Sequence, residues 1–145
     1  MRCQPHITLH MPFRLNAKKF ETLNQGLQTF FSAQKPFQLG LKGFGCFAPR
    51  VIYIDVPDNS ALNQLQKGIG SFVRKWNLSS STRKNQGFVP HVTIAFRDLK
   101  RSLFDDAWGT FQDRQFDASI TVESVHLLKH DGVRWQECVK YPFDL

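Results

Sequence analysis

Two short stretches hold the residues best equipped for chemistry. Pro5-His6-Ile7-Thr8-Leu9 stands near the start of the chain, and Pro90-His91-Val92-Thr93-Ile94 repeats the pattern far downstream. On a strand, residues two apart share a face, so His6 and Thr8 project together, as do His91 and Thr93. Ile7 and Leu9, and likewise Val92 and Ile94, are then expected to anchor the opposite, buried face. Imidazole titrates near neutrality, so one ring across a cleft can serve as base while the other, protonated, serves as acid. That pair suits phosphodiester cleavage. The base takes a proton from an attacking hydroxyl or water, and the acid protonates the leaving oxygen. Threonine hydroxyls can donate to the non-bridging oxygens, where charge collects. Such chemistry calls for no metal and no cofactor, and the sequence offers no carboxylate-rich cluster to hold one. A single His-x-Thr on a strand is more often structural, but two with aliphatic flanks at matched places point to function.

The other histidines and the cysteines carry less. His10 would share the strand face of His6, and the spacing of the two suits zinc only on a helix. Pro5, Ile7 and Thr8 favour a strand instead, and the Glu of H-E-x-x-H is missing. His126 and His130 lack a threonine partner and read as surface or packing residues. Cys3, Cys46 and Cys138 are odd in number and scattered, which argues for reduced thiols rather than a disulfide framework or a cysteine zinc site.

The elements that must position the two motifs can be read in outline. HITLHM predicts a strand over residues 6–11. Asn16 offers an N-cap to a helix whose Phe20, Leu23, Leu27, Phe30 and Phe31 recur at helical spacing. FQLGLKGFG and RVIYIDV read as two strands, and Asp58 or Ser60 can open a second helix with Leu62, Leu65, Ile69, Phe72, Val73 and Trp76 along its stripe. SSSTRKNQG, with Arg83 and Lys84, reads as a polar connection over 78–87. The pattern then restarts with a strand HVTIAF, a helix over 100–112, and one long strand, FDASITVESVHLLKH. A turn at Lys129-His130-Asp131-Gly132 leads to a returning strand, VRWQECVKY. The order predicts a single α+β domain over 1–145, a duplicated unit of two lobes (roughly 5–77 and 88–142) with two antiparallel sheets and a cleft between them.

Bulk properties set bounds. One chain of 145 residues is about one domain, and 41% hydrophobic with 21% charged residues is ordinary for a globular protein. The apolar windows are too short for a membrane span and no leader opens the chain, so a cytoplasmic location and no membrane partner are expected. A net charge of +7 favours anionic partners, nucleic acid among them, without deciding the matter.

With these residues in place, QPHITLHMPF and VPHVTIAFRDL resemble the two-histidine (2H) phosphoesterase superfamily, and within it the bacterial 2′-5′ RNA ligase-like branch. The likeness extends over essentially the whole chain. It implies a bilobal α+β fold with His6 and His91 as the catalytic pair and Thr8 and Thr93 as phosphate binders. Phe13, Arg14, Phe88 and Arg97 flank the motifs and are candidates to line the cleft. Substrates implied are RNA ends with 2′,3′-cyclic phosphates, 2′-5′ linkages or small cyclic nucleotides. In one respect the chain departs from the pattern: the family normally places a strand and a helix before its first motif, and only five residues precede His6. A missing strand would leave a sheet edge exposed, which predicts homodimerisation through that edge or lower stability than a longer relative. The alternative from another class is an RNA- or nucleotide-binding module with a vestigial site. Only the matched quartet of two histidines and two threonines favours the enzyme, since a binder needs no acid–base pair.

Overall fold

A computed structural model describes residues 4–78 and 87–144. The polar connection, with Arg83 and Lys84, lies outside the described residues apart from its ends, Leu78 and Gly87. Leu78 is buried at 8% exposure and belongs to the core rather than to a linker.

Asn16 accepts a hydrogen bond from the N–H of Lys18 and opens a 3-10 turn, Ala17–Lys19, that runs into α1, Phe20–Ser32. Leu23, Leu27 and Phe31 form its buried stripe. The sequence FQLGLKGFG, expected as one strand, is two: β1, Phe37–Lys42, and β2, Phe44–Phe47. They part at Gly43, whose φ of +68° suits a residue without a Cβ. The Gly43 N–H donates to the Phe116 carbonyl and its own carbonyl accepts from Asp55, so the chain changes ladders there. β3, Val51–Asp55, returns along β2. α2, Ser60–Lys75, is capped by Asn59, between the two residues expected to open it, with its side chain accepting from Leu62 N–H.

In the second half β4, His91–Ala95, precedes a 3-10 turn and α3, Phe104–Phe111. The expected long strand is again two, β5, Asp117–Val122, and β6, Ser124–His130, parting at Glu123, whose carbonyl accepts from Phe143. β7, Trp135–Pro142, closes the hairpin with β6. The α+β class holds, but the strands of the described residues form three antiparallel sheets rather than two: β1–β5, β2–β3–β4 and β6–β7. Among the described residues no helix is long and apolar enough to cross a membrane.

Two apolar clusters fill the interior. One joins Leu23, Leu27 and Phe31 of α1 to Leu65, Ile69 and Val73 of α2, with Tyr141 and Phe143. The other gathers Leu39 and Leu41 of β1, Val56, Leu62 and Val92. α2 contributes to both. Its Gly68 seats the ring of Phe30, while Phe72 rests on Gly26 of α1, so the two helices approach through reciprocal ring-on-glycine contacts.

Candidate active site

The first motif does not form the expected strand over 6–11. Only Ile7 pairs, in an isolated antiparallel bridge with Val92. Beyond it the chain bends at Leu9 and His10, and Leu9 packs against both clusters, which draws it out of the sheet. The bend also breaks the parity that would set His10 beside His6. The His10 ring turns toward Phe13, centroids 5.9 Å apart, with Nδ1 buried and unpartnered among the described residues.

One bridge is enough to order the quartet. With Ile7 opposite Val92, antiparallel pairing sets His6 across from Thr93 and Thr8 across from His91, all on the face away from those two aliphatic side chains. Val92 is buried at 8% exposure and Ile7 packs on the second cluster, as the alternation requires. Ile94 departs from it. The β3–β4 register slips at this residue, with Ile52 opposite Ala95 and Tyr53 opposite Thr93, so Ile94 is the extra residue of a bulge. It stands 39% exposed instead of buried.

Both imidazoles are held alike. His6 Nδ1 lies 2.7 Å from the carbonyl oxygen of Gln4, and His91 Nδ1 lies 2.7 Å from that of Val89. A carbonyl only accepts, so Nδ1 carries the proton in each ring and donates it there. Nε2 is left with its lone pair on the neutral ring, or a second N–H on the charged one, and has no protein partner among the described residues. In both copies a proline lies between the histidine and the carbonyl it uses. Proline fixes its own φ and keeps the residue before it extended, which presents that carbonyl back toward the ring.

The surroundings of the two rings differ. The β2–β3 and β3–β4 registers bring Gly45, Tyr53, Asp55 and Phe47 to the quartet's face. Phe47 meets the His91 ring edge-on at 5.0 Å and 86°, and Tyr53 lies 5.0 Å away on another side. Phe47 and Tyr53 also touch each other, at 4.7 Å. Tyr53 reaches this place only because residue 45 is glycine, where a Cβ would collide with its ring. Burial pushes the Tyr53 phenol up from its ordinary value, helped by the charges of Asp55 and Cys46, so it stays protonated. His6 has no such aromatic wall among the described residues. Neither Phe47 nor Tyr53 is marked in the sequence, because their place beside His91 depends on strand register across distant segments.

Of the flanking candidates, Phe13 and Phe88 spend their rings on the two clusters. Arg14 is exposed, and the Arg97 guanidinium lies 5.9 Å from the Phe96 ring centre. The structure does not tie either arginine to the quartet. A groove of about 170 Å³ elsewhere, between α1 and β7, is lined by Asn24, Gln28, Ser32 and Lys140 among others and shares no residue with the quartet.

Comparison with known proteins bears on the family and the fold. The family model described as "2'-5' RNA ligase superfamily" matches residues 1–134. A protein of Bacillus pumilus (strain SAFR-032) named "Putative phosphoesterase" is 32% identical over 126 residues, covering 86% of this chain and 70% of its own length. A similarly named protein of Bacillus cytotoxicus is 33% identical over 130 residues, covering 86% of this chain and 69% of its own. Among solved structures, a Thermus thermophilus protein superposes with a TM-score of 0.69 at 19% identity, covering 95% of this chain and 77% of that one. E. coli LigT complexed with 3′-AMP gives 0.67 at 21% identity, covering 96% of this chain and 76% of that one. The fold is therefore shared with these structures, and the matched sequence carries the family: the chain belongs to the 2′-5′ RNA ligase superfamily of two-histidine phosphoesterases.

Proposed function

We propose that the protein is a metal-independent phosphodiesterase that opens 2′,3′-cyclic phosphates or cuts 2′-5′ linkages in RNA ends or small nucleotides. His6 and His91 act as the acid–base pair, and Thr8 and Thr93 hold the phosphate. The observation that carries this reading is the matched pair of Nδ1–H···O=C bonds, which leaves both Nε2 atoms available. In hydrolysis of a cyclic phosphate, Nε2 of one neutral ring takes a proton from water as its oxygen bonds to phosphorus. The ribose–oxygen bond to phosphorus breaks on the opposite side, and that oxygen takes the proton from the other, charged ring. The threonine hydroxyls donate to the two non-bridging oxygens. A binding module with a vestigial site would have no use for two identically fixed tautomers. That the similar fold of E. coli LigT has been seen with 3′-AMP and with NADP+ supports a nucleotide ligand.

Two further parts belong to the same reading. Unpaired Cys46 and Cys138 fit a reducing, cytoplasmic setting. Self-association through a sheet edge has several candidate strands among the described residues, since β2 and each strand of the two-stranded sheets has a strand neighbour on one side only.

The test is ring opening of 2′,3′-cyclic nucleotides in EDTA. Turnover is expected to survive chelation and to fall by about 10²- to 10⁴-fold in both His6→Ala and His91→Ala. Full activity in either variant would overturn the assignment, and binding without turnover across cyclic and 2′-5′ substrates would favour the binding module.

A further inference from the structure

Tyr53 is buried for a reason that the apolar interior does not supply. It stands at 9% exposure, yet it belongs to neither cluster. Its phenol makes no hydrogen bond among the described residues, although a buried tyrosine hydroxyl usually finds one. Two rings lie against it instead: the His91 imidazole, 5.0 Å away at 51°, and Phe47, 4.7 Å away at 39°. Phe47 completes the triangle by meeting His91 edge-on, at 5.0 Å and 86°. Two walls inclined to each other limit both the tilt and the slide of the imidazole beside them.

The strand register explains how the three rings come together. Gly45, Tyr53 and Thr93 stand in one row across β2, β3 and β4. The Tyr53 ring leans over Gly45, where an added Cβ would lie 2.5 Å from Cζ and 2.7 Å from the hydroxyl. Thr93, at the other end of the row, stays exposed. The bare backbone at residue 45 thus seats the ring beside Phe47 and keeps it off the threonine. The hydrogen bond from His91 Nδ1 to the Val89 carbonyl fixes one atom of the imidazole and leaves the ring free to swing about it. His6 has the matching bond, with no aromatic ring against it among the described residues.

We propose that Phe47 and Tyr53 are positioning residues, which together hold the His91 imidazole so that Nε2 faces the substrate phosphate, and that Gly45 makes the room they need. Their effect on rate rests on the phosphodiesterase reading above, while their hold on the ring rests on the geometry alone. The Tyr53 ring supplies that hold. Its hydroxyl lies over the Gly45 backbone, away from the row position of Thr93, and takes no part.

The test pairs kinetics on a 2′,3′-cyclic nucleotide with imidazole ¹⁵N and ¹³C relaxation of the full chain without substrate. Tyr53→Leu and Phe47→Leu are each expected to lower kcat about tenfold with KM little changed, since a misplaced reacting group costs rate rather than ground-state binding. Tyr53→Phe, which keeps the ring, should retain most of the activity. Gly45→Ala should fall like Tyr53→Leu. Adding it to Tyr53→Leu should cost little more, because leucine lacks the atoms that a Cβ at 45 would strike. The His91 ring should loosen in both leucine variants while His6 keeps its wild-type relaxation, a contrast that a general loss of stability would not produce. Far-UV circular dichroism checks folding, and Phe47, 40% exposed, can be shortened without opening either cluster. Wild-type kcat in both leucine variants would overturn the proposal. So would an unchanged His91 ring, or Tyr53→Phe as slow as Tyr53→Leu. A protein inert toward every cyclic nucleotide whose His91 ring still loosens in Tyr53→Leu would keep the hold on the ring and end the catalytic assignment.

Discussion

At the scale of single residues, the two prolines before the histidines act through the carbonyls of Gln4 and Val89. Those carbonyls fix which ring nitrogen carries the proton, and so which nitrogen would meet a phosphate in the proposed reaction. Freeing the backbone at residue 90 should let the His91 ring sample other orientations without opening any core. Pro90→Ala is therefore expected to lower kcat about tenfold with KM little changed, because a small misplacement of a reacting group is costly. Its stability should change by less than about 1 kcal/mol. Imidazole ¹⁵N shifts give an independent reading, expected to move from one tautomer toward a mixture. Full kcat with Nδ1–H intact would leave this proline without a part in the site. That each histidine projects with its own threonine is a sequence reading, because strand parity links residues only two apart, and the first of those strands is reduced to the Ile7 bridge. Phe47 and Tyr53 were not legible, since each reaches His91 through pairing with a strand elsewhere in the chain.

At the scale of elements, helices were the most readable part. Asn16 and the stripe Leu23, Leu27 and Phe31 mark α1, and Leu62, Leu65, Ile69 and Val73 mark α2. Strands were harder where the chain changes partners in mid-run, as at Gly43 and Glu123, because apolar alternation continues across the switch. The bulge at Ile94 is invisible for a similar reason: only the partner strand reveals the extra residue. The hairpin turn was placed nearly correctly, since Asp131-Gly132 is a turn signal and Gly132 has φ of +103°. That turn is also where pH should act. Asp131 titrates at about 2 in the folded chain, below its ordinary 3.8. A lowered carboxyl stabilises the fold above its unfolded pKa and loses that effect as pH falls through the folded one. The tip is thus expected to fray between about pH 4 and pH 2, followed by the Trp135 indole N–H resonance. Asp131→Asn should remove that acid step, and an unchanged step in this variant would assign it elsewhere.

For the whole molecule, α2 is the shared wall. Leu62 belongs to one cluster while Leu65, Ile69 and Val73 belong to the other, so neither cluster can open without disturbing the same helix. Leu62→Ala should cost about 2–5 kcal/mol. It should also shift unfolding seen by circular dichroism and by Trp76, which packs on the other cluster, in one coincident transition. Fluorescence of Trp76 alone, with Trp108 and Trp135 replaced by Phe, checks this; separate midpoints would mean two independent halves. The bridge between Ile7 and Val92 has a consequence of another kind. It makes the gap between the two motifs a single interstrand step, about 4.8 Å, set by backbone hydrogen bonding rather than by side chains. Under the proposed reaction the motifs form a gauge cut to one tetrahedral phosphorus. Substitutions around the rim can change what hangs from that phosphorus, but its width cannot be retuned without taking the sheet apart.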